Sequence, residues 1–148
     1  MTPRVWCLFV LALFAGRLGA QPAPQSLGPV DSIALVRKPM WWCRKGPCPP
    51  ERVTLRRGAI DTSVLASFER KAVSLGFYGL PAMVWGASFC RVIMSDAEMT
   101  TLSIYHREGQ WSVRGYHHCS DRSPELTGLF TLELLVDSLG GTPRRRQF

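Results

Sequence analysis

The chain has 148 residues, 46% of them hydrophobic and 20% charged, and its 18 Lys and Arg against 11 Asp and Glu give a net charge of +7. That length supports one compact domain and excludes a second of ordinary size. The positive surplus favours weak association with anionic lipid, cell-wall polymer or nucleic acid without specifying any of them, and specific nucleic-acid binding is not expected, because the sequence has no RNP-type aromatic strand, no Gly-x-x-Gly clamp and no paired Cys/His finger spacing.

Arg4 precedes an apolar run over residues 5–15, and Leu18-Gly19-Ala20 closes it before the Pro-rich Gln21-Pro22-Ala23-Pro24. This pattern reads as a secretory signal peptide over residues 1–20, too short to span a bilayer and cleaved after Ala20. Loss of Arg4 and Arg17 with the leader leaves 16 Lys and Arg against 11 acids, a net charge of +5. Cys7 lies inside the leader, so no acyl anchor is expected. No run of eighteen apolar residues follows, so the mature chain is expected to have no transmembrane segment and to be a monomer in the periplasm or secreted.

Residues 21–30, with three prolines and few large apolar groups, read as a flexible linker. A single α+β domain is expected over residues 31–141, with residues 142–148 a basic tail carrying Arg144, Arg145 and Arg146. Residues 32–37 alternate as a strand, and residues 51–57 form a second with Val53 and Leu55 on one face. Asp61 or Thr62 caps a helix whose Leu65, Phe68, Ala72 and Leu75 share a face, and Gly76 ends it. Residues 76–88 are rich in Gly and Pro and are expected to be an irregular connection. Three strands are then predicted over 89–94, 100–106 and 110–117, the last two joined by a tight turn at Arg107-Glu108-Gly109. Ser123-Pro124-Glu125 opens a final helix over 126–139, stopped by Gly140-Gly141. The order predicts an antiparallel sheet of four or five strands with two helices packed on one face.

Four cysteines remain after the leader: Cys43, Cys48, Cys90 and Cys119. An even number in an oxidising compartment predicts two disulfides, and pairing within each half favours Cys43 with Cys48 and Cys90 with Cys119 among the three connectivities. Chain entropy assigns about 2 kcal/mol to the short loop and about 3.5 kcal/mol to the long one. A thiol oxidoreductase built on Cys43 and Cys48 is the sharper alternative, although four residues separate them where thioredoxin-type sites have two. A metal site drawing on His117, His118, Cys119, Cys43 and Cys48 is disfavoured, because adjacent residues of a strand face opposite ways. No metal and no cofactor are expected.

Trp41 and Trp42, beside Arg44 and Lys45, offer aromatic faces and cations for binding an envelope component or protein partner. The plainer reading packs one of these rings on the core. Trp85 and Trp111 are expected in the core. For hydrolysis, Ser112, Ser120 and Ser123 lie near His117 or His118 in sequence, with Asp96 and Asp121 as orienting groups, but no Gly-x-Ser-x-Gly elbow occurs. Asp96, after an apolar run, reads as a turn-capping carboxylate. Nothing marks Asp96, Glu98, Glu108 or Asp121 as a buried carboxylate pair suited to glycoside cleavage.

Arg37 at the end of the first strand, Gly46-x-Cys48-Pro49, Ser95-Asp96 with Thr100, Tyr116, and Leu135-Val136-Asp137 together resemble a family of small exported bacterial domains of unknown function. Its members carry a Cys-x-Gly-x-Cys-Pro loop and a last helix containing Ile-Asp. The resemblance spans residues 31–141, with one extra residue between the loop cysteines here. It implies an α+β fold and no catalytic residues. The expectation is therefore an exported bacterial binding or accessory domain of the cell envelope, with an envelope enzyme as the alternative.

Overall fold

The computed structural model describes residues 27–39, 42–43, 46–86, 88–90, 98–116, 119 and 121–141. It is an α+β fold with a five-stranded, mostly antiparallel sheet and two helices. The strands are β1 (Val30–Pro39), β2 (Trp42–Cys43), β3 (Gly46–Pro47), β4 (Glu51–Arg56), β5 (Met83–Val84), β6 (Glu98–His106) and β7 (Gly109–Tyr116). The helices are α1 (Thr62–Ser74) and α2 (Pro124–Leu139). The sheet order is β4-β1-β6-β7-β5, while β2 and β3 pair only with each other as a small hairpin.

β1 sits inside the sheet because its alternating Ile33, Leu35 and Arg37 lie opposite residues of the same kind on both sides. Ile33 pairs Leu55 of β4 and Ile104 of β6, Leu35 pairs Val53 and Leu102, and across the next ladder Ile104 pairs Trp111 and Leu102 pairs Val113. Ile33, Leu35, Leu102, Ile104 and Val113 are fully buried. His106 pairs Gly109, so Arg107 and Glu108 form a two-residue turn. The backbone N–H of Glu108 donates to Leu27 O, and both Leu27 and Val30 are buried, so the core reaches upstream of Asp31.

α1 begins where Asp61 Oδ1 accepts the N–H of Ser63 at 2.8 Å. It buries Leu65, Phe68 and Ala72, and Gly76 at φ 70° leads into a 3₁₀ turn, Phe77–Gly79. Burying a side chain such as Phe68 or Phe77 contributes about 1.5–3 kcal/mol. α2 begins at Ser123, whose Oγ accepts the N–H of Leu126, with Pro124 as the first helical residue. Leu126, Leu129, Leu132 and Val136 are its buried apolar residues.

Two parts of the expected architecture are corrected. The segment over 76–88 is more than a connection: after the 3₁₀ turn, Met83 and Val84 add an edge strand that runs parallel to β7, with Met83 opposite Arg114 and Val84 opposite Gly115. Val84 is fully buried while its neighbours are exposed, so one deep apolar residue suffices to dock a two-residue strand that periodicity cannot reveal. The strand expected over 89–94 begins as a single bridge, Cys90 with Arg122, and residues 91–94 lie outside the described residues. Cys90 and Cys119 form a disulfide with Cα atoms 5.4 Å apart, and Ser123 N–H donates to Phe89 O. The covalent link and the backbone bond together fix the start of α2.

Candidate functional site

Thr100, Leu102, Ile104 and His106 alternate onto one face of β6, so the apolar middle of that inner face is bounded by a polar residue at each end. At the Thr100 end, the row across the sheet is Arg37, Thr100 and Gly115. Arg37 Nη2 donates to Asp137 Oδ1 of α2, and Arg37 Nε lies 3.9 Å from Glu98 Oε1. Thr100 Oγ1 donates to Glu133 Oε1, one helical turn before Asp137. Arg37, Thr100, Glu133 and Asp137 are all at least 94% buried. Gly115 permits the approach, since a Cβ there would stand 2.6 Å from Leu129 Cδ2.

At the opposite end, His106 Nδ1 lies 2.9 Å from Gly28 O, and Nε2 lies 3.0 Å from the hydroxyl of Tyr78. A carbonyl only accepts, so the proton is on Nδ1 and Tyr78 O–H donates to Nε2. Glu69 Oε1 of α1 is 3.7 Å from Nδ1, an ion pair only when the ring is protonated. Tyr78 also meets Trp111 edge-on with centroids 5.5 Å apart. Burial, and next the negative charge of Glu69, push the Tyr78 phenol well above its usual range. It therefore stays a hydroxyl donor at any physiological pH.

Beside this cluster an open groove is lined by Pro29, Val30, Arg57, Thr62, Ser63, Leu65, Ala66 and Glu69. Glu69 is the residue shared by cluster and groove. Its carboxylate can meet a solvent-borne group, whereas the His106 side chain is fully buried behind it. Arg57 at the other wall is held by Asp31 Oδ1 at 3.3 Å and by donation to Val30 O at 2.8 Å. The arrangement can hold a proton on a buried imidazole and bring one carboxylate to the surface.

The residues expected to form a binding surface are only partly placed. Trp42 and Cys43 lie in β2 opposite Pro47 and Gly46, while Trp41, Arg44 and Lys45 lie outside the described residues, as do His117, His118, Ser120 and Asp96. Cys48 is disulfide-bonded. Ser112 donates to Ser103 Oγ at 2.8 Å, and Ser123 is occupied as a helix cap, so each hydroxyl has a structural task. Trp111 is buried as expected, but Trp85 is 58% exposed and does not join the core. It follows Val84, and alternation that buries Val84 turns its neighbours outward.

Sequence reading missed both polar clusters. Their signal was present: Glu133 and Asp137 stand four apart among Leu129, Leu132 and Val136, and Arg37 and His106 continue apolar strand alternations. A charged residue in phase with a buried stripe is the mark of a buried polar partner. Among the described residues no group of three or more His, Cys, Asp or Glu is arranged to hold a metal ion, and no helix is long and apolar enough to cross a membrane. No protein-family model, curated protein or solved structure matches this chain.

Proposed function

We propose that this chain is an exported binding or accessory domain of the bacterial cell envelope, stabilised by disulfides, and that the β2–β3 hairpin is its contact surface. The observation that carries the reading is the Cys90–Cys119 disulfide, which closes a loop of sequence separation 29 at the start of α2. Such a bond belongs to a protein that folds in an oxidising compartment. The leader-like residues 1–20 point to the same compartment.

Support for the contact surface is the separateness of the hairpin. β2 and β3 pair with each other and with no strand of the main sheet, and Trp42 stands opposite Pro47 in it. Trp41 and Trp42, with Arg44 and Lys45 between the two strands in sequence, supply aromatic and cationic groups of the kind that dominate contact energies. A disulfide between Cys43 and Cys48 would lock that hairpin before it meets a ligand and lower the entropy cost of binding.

The test takes the protein from an expressing bacterium and measures its mass with and without reductant. A chain beginning at Gln21 with four oxidised cysteines is expected, and a cytoplasmic chain retaining residues 1–20 overturns export. Co-sedimentation with purified peptidoglycan sacculi and pull-down of solubilised envelope proteins then compare wild type with Trp42→Ala. Loss of binding in a variant with unchanged circular dichroism is expected, and equal binding removes the hairpin as the contact surface.

A further inference from the structure

The outer face of the sheet carries a charge pattern that neither polar cluster nor the hairpin explains. Registers place Arg52, Val36, Thr101, Arg114 and Met83 in one row across all five strands. The next row is Thr54, Ala34, Ser103 and Ser112, and the third is Arg56, Ser32, Tyr105 and Gln110. Lys38 stands beside Met99 at the other end of the face. No Asp or Glu occupies a position in these rows, and Lys38, Arg52, Arg56 and Arg114 are all exposed. Among the described residues, none of the four is ion-paired to an acid.

The geometry suits a flat partner. Small side chains, Ala34, Ser103 and Ser112, fill the middle, so the cations stand at the margins of a level surface. Arg52 and Arg114 are separated by three strand spacings, about 14 Å, and Arg52 and Arg56 by four residues, about 13 Å. Apolar groups stand at one rim: Met83 is 40% exposed in the Arg114 row, Trp85 follows it at 58%, and Tyr105 is 37% exposed in the third row. Trp and Tyr are the side chains that settle at the headgroup level of a bilayer, and arginines beside them pair with its phosphates.

We propose that the outer sheet face is a peripheral docking surface for an anionic phospholipid bilayer, with Arg52, Arg56, Arg114 and Lys38 on the headgroup phosphates and Trp85 and Met83 at the interface. Charge complementarity selects the occupant, since four cations and no acid face one way, and the flatness of the sheet favours a surface over a single bound molecule. The inference rests on the envelope location proposed above but uses a different face from the hairpin.

The test is co-sedimentation of the mature, oxidised chain with vesicles of phosphatidylglycerol and phosphatidylcholine, and with phosphatidylcholine alone, at 0.05 and 0.5 M salt. Binding is expected to the anionic vesicles at low salt and to fall steeply at high salt. Each cation on the contact face is expected to contribute about fivefold to the partition constant, so Arg52→Gln with Arg114→Gln lowers it about 25-fold. Arg70→Gln with Lys71→Gln, on the exposed side of α1, removes the same charge elsewhere and is expected to change it less than threefold. Equal loss in the two pairs, equal binding to neutral vesicles, or no vesicle binding overturns the proposal. So does a protein that prefers heparin or RNA to the vesicles, or that self-associates through this face in sedimentation equilibrium. Trp42→Ala is expected to leave vesicle binding unchanged, and binding to preformed vesicles does not require export, so failure of the hairpin or of export is read separately.

Discussion

The two ends of the inner sheet face solve the same problem with opposite electrostatics. At one end Arg37 and Asp137 bury full charges, joined by Thr100, Glu133 and Glu98. At the other a neutral imidazole is satisfied by a phenol and a backbone carbonyl, with Glu69 at the margin. The charged end needs both partners at once, because either ion left alone in the interior costs far more than the pair contributes. The neutral end loses only a hydrogen bond when one partner goes. The charged end therefore fixes how α2 sits on the sheet, and the neutral end, with its groove and its partly exposed carboxylate, is where solution conditions can reach the interior.

The largest effect should come from breaking the charged end. Arg37→Met leaves Asp137 buried without its cation and is expected to cost about 3–5 kcal/mol in urea unfolding. The double variant Arg37→Met with Asp137→Leu is expected to recover most of that loss, since both charges are then gone. If the single and double variants unfold at the same urea concentration, the ion pair is not what makes this end differ from the other.

How much of this contrast the sequence shows depends on periodicity. The long elements are legible because their apolar residues repeat over two or more turns or pleats: β1, β4, β6, β7, α1 and α2 are found close to their expected limits, as are the caps at Asp61 and Ser123. The two-residue β5 is not legible, since Met83 and Val84 are too few to carry a period and gain their place from β7. Neither are the polar clusters. Each is assembled from residues far apart in sequence, 100 positions for Arg37 and Asp137 and 28 for Tyr78 and His106, and local pattern carries no pairing information over such distances. Trp85 escaped for a related reason: an aromatic side chain announces burial, but strand alternation at a sheet edge decides its side.

An intermediate effect is expected at the neutral end. Tyr78→Phe keeps the ring against Phe77 and Trp111 but leaves His106 Nε2 without its donor, at a cost of about 1–3 kcal/mol. The phenol also makes this end sensitive to alkali. Its pKa in the fold lies above that of the unfolded chain, so its contribution is complete below about pH 10 and is lost as pH rises towards the folded value. Wild type is expected to lose stability above pH 10 faster than Tyr78→Phe, and the difference between them should shrink there. Parallel alkaline limbs in the two proteins would mean that the phenol is not held neutral by burial beside Glu69.

The smallest effect concerns the helices that close the inner face. The cap of α2 is the hydroxyl of Ser123, whereas that of α1 is the carboxylate of Asp61, which accepts the Ser63 N–H and is held below the usual carboxylate range by that bond. A depressed folded pKa means that the contribution of Asp61 is present above the unfolded value near 4 and fades as pH falls through the folded one. Asp61→Asn keeps a capping oxygen but removes the titration. Following acid unfolding of the two proteins, wild type is expected to lose stability relative to Asp61→Asn only below about pH 4, with α1 fraying before α2 in hydrogen exchange. The Asp61 cap lies two residues from Ser63 in the groove wall and two turns from Glu69, so its loss loosens the same end of the fold that holds His106. Exchange protection that falls first in α2 instead would place the acid-sensitive contact among Glu98, Glu133 and Asp137, and reverse the assignment of which end responds to pH.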